Sequence, residues 1–351
     1  MAKALTVTPS TPSGLSWSGR PLEVWGVRVA SAAVREEWTQ ALIDHLDDYR
    51  RYGVNALTVF YQGSSGGHLQ AFSDDGRELD AGVRERIDRL VRACADRDML
   101  VVAGIFYQRE RLPTREAYVR AAEAAARHLA GYENVIINLV NEHNSAGWEH
   151  CPFPVRTVEG IIELCQVVRA AAPDRLVGGG GIHPGVNAEL SVRPELDLLL
   201  FDWHGASQEA VEHYRAAGST KPLMNVELFG GWAQGFVEED DVPQPGVNIS
   251  WPGWGRNTPA AAPPGRRRIQ GVLPEQTQGT HRGRADFLSE VEYAARTPGF
   301  SLFGHFPGWW QGPSRQPTFD CRFDLGGNGT RASPGIRWYF EAVARASGIT
   351  I

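Results

Sequence analysis

At 351 residues, with 42% hydrophobic and 22% charged residues, the chain has ordinary globular composition and enough apolar material for a core, so disorder is excluded as its default state. A formal net charge of −6 and a pI near 6.0 argue against a nucleic-acid partner, which needs a concentrated basic surface. No window of 18 apolar residues exists, which argues against a membrane span or a membrane partner.

The N-terminus, Met1-Ala-Lys-Ala-Leu-Thr-Val-Thr-Pro-Ser, lacks an apolar h-region, so the chain as given carries no secretory signal and a cytoplasmic location is expected. Cys94, Cys151, Cys165 and Cys321 show no CxxC spacing and read as reduced thiols, neither a zinc pattern nor a disulfide framework. The sequons Asn248-Ile-Ser250 and Asn328-Gly-Thr330 are then accidental. Arg266-Arg-Arg268 sits among prolines and glycines and reads as a solvated loop charge cluster rather than a phosphate site. No cofactor or metal is expected, and oligomeric state is not legible.

In chain order, Leu15–Leu22 reads as a hairpin turning at Gly19, placed to close the bottom of a barrel. Strand one is predicted over 23–29, followed by a helix over 34–52 that Gly53 ends. The alternation continues with strand two at 54–61, helix 81–98, strand three at 99–107, helix 113–130 and strand four in the stretch 134–144, whose apolar run ends in Asn141-Glu142. Helix 157–172 precedes strand five at 175–183, where the run Gly178–Gly181 favours close packing over a phosphate loop because no helix is predicted to begin directly after it. Strand six at 196–204, helix 207–217, strand seven in the stretch 221–231, which runs into Glu227 and then a glycine turn, helix 284–296, strand eight at 300–306 and helix 334–346 complete the series. Eight strands alternating with helices predict one (β/α)8 barrel over residues 1–351, with an N-terminal extension and hairpin at 1–22. The stretch 232–281, rich in Pro, Gly and Trp, is expected as a lid or substrate wall on the active face, with disorder the alternative for 256–280.

Such barrels keep their chemistry at the C-terminal ends of the strands. Here those tips offer Arg28, Tyr61, Gln62, Tyr107, Gln108, Asn141, Glu142, His183, Trp203, His204, Glu227, Trp309 and Trp310. Amides and imidazoles suit sugar hydroxyls, aromatic faces suit pyranose rings, and paired carboxylates suit the glycosidic bond, so a carbohydrate is the expected partner. Candidate sugar contacts are Asn141, His204, Trp203, Trp309, Trp310, Tyr61, Tyr107, Gln108, His183 and Asn225. By strand parity Asn225 is expected on the same side as Glu227, supporting it, and Asn138 on the side of Glu142, deeper in the barrel. His183 and His204 lack HxH or HExxH spacing and are read as sugar contacts or structural hydrogen-bonders. Trp148 and Trp232 are read as platforms or loop packing. Gly63-Ser-Ser-Gly-Gly67 lacks the GxSxG spacing of a serine hydrolase.

Asn141-Glu142 ending strand four, Glu227 ending strand seven in a Pro-x-x-x-x-Glu-x-x-Gly setting, and tryptophan after strand eight together resemble clan A of the retaining glycoside hydrolases, the 4/7 superfamily of cellulase-like barrels. The resemblance spans nearly the whole chain. It implies Glu142 as general acid/base, Glu227 as nucleophile, Asn141 as donor to the sugar 2-hydroxyl, and Trp309 or Trp310 as floor of the subsite for the cleaved sugar. The arginine that many clan members carry at the end of strand two or three, and their tyrosine near strand six, are replaced here by Tyr61-Gln62, Tyr107-Gln108 and Asp202-Trp203-His204. The expected activity is retaining hydrolysis of an O-glycoside, exo-acting on small glycosides. A transglycosylase, a non-catalytic carbohydrate-binding barrel and a metal-dependent barrel lyase or isomerase are the alternatives.

Overall fold

Apolar residues run almost unbroken along most of the predicted strands, so a sheet built from them has two apolar faces, and closing it covers one face with itself. The computed structural model describes residues 5–64, 67–108, 110–182, 184–203, 206–228, 236–238, 266–268, 284–305 and 336–351. Strands β1 (Trp25–Arg28), β2 (Ala56–Phe60), β3 (Leu100–Phe106), β4 (Val135–Val140), β5 (Leu176–Gly179), β6 (Leu198–Phe201), β7 (Leu223–Leu228) and β8 (Phe300–Gly304) pair in parallel in chain order. The barrel closes where Leu302 of β8 registers with Trp25 of β1. Around it run α1 (Glu36–Arg51), α2 (Ala81–Ala95), α3 (Arg115–Leu129), α4 (Val158–Ala171), α5 (Pro184–Val192), α6 (Ser207–Ala216), α7 (Arg284–Arg296) and α8 (Ile336–Ala346). The architecture is a (β/α)8 barrel.

Local chemistry starts several helices where they start. Asp80, Thr114 and Thr157 accept hydrogen bonds from Val83, Ala117 and Gly160 backbone N–H groups, capping α2, α3 and α4. Gly53, at φ 86°, turns the chain after α1.

The alternating strand residues supply two cores. One set, including Leu57, Val101, Ile137, Leu199 and Leu223, packs under the helices. The other, including Ala56, Val102, Ile136, Leu200, Met224 and Phe303, fills the barrel. Full burial of each large side chain contributes about 1.5–3 kcal/mol. Phe60 enters the barrel because Gly104 makes room: a Cβ there would lie 2.1 Å from the Phe60 ring.

The strands Leu15–Trp17 and Arg20–Pro21 pair through Ser18 and Gly19, both at positive φ, and Leu5–Val7 adds a third strand to this small sheet. Leu5 and Leu15 join the core inside the barrel, and Gly299, just before β8, donates its N–H to Pro12 at 2.7 Å. The sheet therefore plugs the N-terminal end of the barrel.

Three local expectations are corrected. β5 stops at Gly179, and α5, absent from the sequence reading, follows at Pro184. The glycine run is a packing device, since a Cβ on Gly180 would sit 1.9 Å from the Leu200 carbonyl oxygen. Arg266–Arg268 is not loop but a strand paired antiparallel with Phe236–Glu238; the rest of 232–281 lies outside the described residues, as does Cys321. Cys94, Cys151 and Cys165 are free thiols. Among the described residues no helix is long and apolar enough to cross a membrane.

Candidate active site

Inward parity on β1 sends Arg28 into the barrel mouth, where it is fully buried. Its guanidinium lies 5.3 Å from the centroid of the Phe60 ring. One terminal nitrogen donates to Asn141 Oδ1 at 2.6 Å and approaches Glu227 Oε2 at 3.2 Å, while the other reaches Asp202 Oδ1 at 3.4 Å. Burial opposes the charge, but the carboxylates of Glu227 and Asp202 outweigh it and hold Arg28 more firmly protonated than an arginine in water. The ends of β1, β4, β6 and β7 thus meet on one cation.

Glu227 is nearly buried, and its second oxygen faces His305 Nδ1, just beyond β8, at 3.3 Å. A register shift along β7 and β8 between Asn225 and Leu228 changes which side chains face inward. Asn225 consequently does not stand beside Glu227's carboxylate on the mouth: it is fully buried, donating to Trp203 O at 3.0 Å and Ser207 Oγ at 3.1 Å and accepting from the Trp203 and Glu227 backbone N–H groups. Its task is to tie the end of β6 and the start of α6 to β7.

On the other side of the mouth, Glu142 is half-buried and accepts from Gln108 Nε2 at 2.6 Å. Gln108 Oε1 accepts from Asn141 Nδ2 at 3.0 Å, so one amide joins the two residues. A guanidinium has no acceptor, so the Arg28 contact fixes which end of the Asn141 amide is oxygen. Glu142 has φ 42°, the left-handed region that favours glycine. Its neighbours hold that conformation: Ser145 N–H donates to the Glu142 carbonyl at 2.8 Å, and Trp148 Nε1 to the Asn141 carbonyl at 2.9 Å. His143 is buried against the Val155 carbonyl at 3.0 Å, and burial pulls its imidazole down to about 4, so it is neutral.

Of the other candidates, Tyr107 lines the mouth, its ring edge-on to Phe60 at 5.6 Å. Tyr61 is turned away from it. Its hydroxyl bonds His128 Nδ1 on α3 at 2.6 Å, and His128 Nε2 bonds Asp88 on α2 at 2.6 Å. Gln62 is also withdrawn, accepting from Tyr107 N–H at 2.8 Å and donating to Gln70 at 3.0 Å. Trp203 is half-buried against the core under the helices, and its indole N–H is spent on the Ala206 carbonyl. Trp148 is buried loop packing, not a platform. Asn138 is buried inside the barrel. His183, His204, Trp232, Trp309 and Trp310 lie outside the described residues.

No protein-family profile matches the chain, and no curated protein does. Solved structures match along most of it. A family 5 mannosidase from Rhizomucor miehei aligns with TM-score 0.62 at 10% identity, covering 99% of this chain and 98% of that one. A β-mannanase from the blue mussel Mytilus edulis aligns with TM-score 0.55 at 11% identity, covering 100% and 98%. A family 5 glycoside hydrolase from Bacteroides vulgatus aligns with TM-score 0.58 at 13% identity, covering 86% of this chain but only 62% of that one. The barrel is similar to those of family 5 glycoside hydrolases. At these identities the likeness is one of fold.

Within this glycoside-hydrolase-like barrel, three side chains of the cluster had no assigned role in the sequence. Arg28 stood among the strand tips, and Asp202 follows the inward parity of Leu198 and Leu200, so both were findable. His305 was a lone imidazole in an apolar run and carried no such signal. Among the described residues, no group of three or more His, Cys, Asp or Glu side chains is arranged to hold a metal ion.

Proposed function

We propose that this protein is a retaining O-glycosidase in which Glu227 is the nucleophile and Glu142 the general acid/base. The observation that carries the reading is the pairing of environments at one barrel mouth. Glu227 is buried with its charge matched by Arg28, while Glu142 is more open and held by an amide. A nucleophile must be ionised and aimed, and an acid/base must exchange protons with leaving group and water.

In the first step a Glu227 oxygen bonds the anomeric carbon, the glycosidic C–O bond breaks, and Glu142 gives its proton to the departing oxygen. In the second, Glu142 takes a proton from water as that water attacks the anomeric carbon and the Glu227 ester bond breaks. Gln108 suits Glu142 to the ionised half of this cycle. Asn141, with its carbonyl fixed on Arg28 and one N–H on Gln108, keeps a second N–H for the sugar 2-hydroxyl. The fold neighbours make a β-mannoside the first sugar to try, and exo action on small glycosides is part of the proposal.

The test is turnover of aryl glycosides by wild type, Glu142→Ala and Glu227→Ala. Each variant is expected to lose at least about 10²-fold. Azide is expected to rescue Glu227→Ala as a glycosyl azide of inverted configuration. Sugar binding without turnover by wild type would favour a carbohydrate-binding barrel, product bearing a sugar acceptor would favour a transglycosylase, and unchanged turnover in both variants would sink the assignment.

A further inference from the structure

Asp202 is a carboxyl group that hydrolysis with two glutamates leaves without a task. It follows β6 on the inward side, is nearly fully buried, and shares the Arg28 guanidinium with the Glu227 carboxyl. Two buried carboxylates on one guanidinium repel, and burying a net charge is costly. Arg28 supplies one positive charge against the two, so a single proton on the pair leaves the cluster neutral.

The surroundings decide which group holds it. Glu227 has Arg28 at 3.2 Å and His305 at 3.3 Å, whereas Asp202 has Arg28 at the longer 3.4 Å. The other groups facing Asp202 are Glu142, which adds negative field, and Tyr214 of α6, a phenol whose proton burial retains; Tyr107 faces Arg28 from β3. Burial first, and then the Glu227 charge, push Asp202 well above the usual carboxylate range against the pull of Arg28.

We propose that Asp202 is a positioning residue that stays protonated through the reaction and donates its O–H to Glu227, holding the nucleophile as a hydrogen-bonded, charge-balanced carboxylate. This rests on the glycosidase reading. Glu142, not Asp202, supplies the proton that leaves with the aglycone, and the Asp202 proton remains where it is in both steps.

The test uses the Glu142→Gln chain and a dinitrophenyl glycoside, whose leaving group needs no proton, so Glu142 no longer contributes to the pH profile. Release of dinitrophenolate in the first turnover is expected to slow at alkaline pH as Asp202 ionises. Adding Asp202→Asn, which keeps a donor that cannot ionise, is expected to abolish that alkaline fall. Adding Asp202→Ala is expected to slow the step about 10–100-fold at neutral pH, the size of a lost hydrogen bond to a charged group, and to remove the alkaline fall as well. Independently, the infrared band of a protonated carboxyl should be present at neutral pH in the parent and missing in Asp202→Asn. An alkaline fall that survives Asp202→Asn, or no difference in that band, overturns the proposal. Full first-turnover release in Glu227→Ala would instead overturn the glycosidase reading itself.

Discussion

Arg28 at the end of the first barrel strand donates to Asn141 at the end of the fourth at 2.6 Å, while the same guanidinium nitrogen holds Glu227 of the seventh at 3.2 Å. Removing it would strand two buried carboxyls and release the amide. Arg28→Met is expected to cost about 3–5 kcal/mol of stability. Arg28→Lys keeps the charge but loses the planar fork, and is expected to fold while turning over at least about 10-fold more slowly. Urea unfolding together with kcat/KM separates the two effects; equal stability of wild type and Arg28→Met would contradict the cluster.

Gln108 holds the Glu142 carboxyl at 2.6 Å and the Asn141 amide at 3.0 Å. Gln108→Leu is expected to lower kcat/KM about 10–100-fold on aryl glycosides with poor leaving groups, which depend on an aimed proton. Dinitrophenyl glycosides should be nearly unaffected in the first step. A uniform loss across leaving groups would assign Gln108 to sugar binding instead.

His143 is buried neutral, its proton affinity pulled from 6.5 down to about 4 by burial. The unfolded chain binds that proton more readily, so the contribution of His143 to stability is full above about pH 6.5 and is lost as pH falls toward 4. Between pH 6.5 and 5 this amounts to about 2 kcal/mol. Denaturation curves of wild type and His143→Gln at pH 7 and pH 5 should therefore converge at the lower pH; parallel losses would rule the histidine out as the cause.

Gly104 admits the Phe60 ring on which the Arg28 guanidinium rests. Gly104→Ala is expected to destabilise by about 1–3 kcal/mol through overpacking. Because the displaced ring supports Arg28, kcat should fall as well. A crystal structure of the variant with Phe60 unmoved would refute this link.

The alternation of strands and helices, and the two glutamates ending the fourth and seventh strands, were legible because periodicity and strand ends are local properties of the chain. What failed was inference by parity across an irregularity. Asn225 was expected on the side of the Glu227 carboxylate, but it lies between the inward-facing Met224 and Val226 and so points out toward the start of α6, accepting only the Glu227 N–H, while the register shift after it turns Glu227 into the mouth. Tyr61 follows the last residue of β2 and turned outward to His128, a partner 67 positions away that no local pattern announces. Helix α5 was missed because its nine residues follow a glycine run and begin on a proline. The cluster on Arg28 depends on four strands meeting around one guanidinium, a relation that exists only once the barrel has closed.

Glu142 carries its carboxyl on a backbone turned to φ 42°. An L-residue with a bulky side chain gives up roughly 1–2 kcal/mol there, which glycine or asparagine largely recovers. With Glu142 in the acid/base role proposed above, position 142 is one where evolution for thermostability and evolution for turnover would pull in opposite directions. A library screened only for heat resistance should enrich Glu142→Gly and Glu142→Asn, so the most readily stabilised descendants of this barrel would be those that had lost the acid/base proposed above.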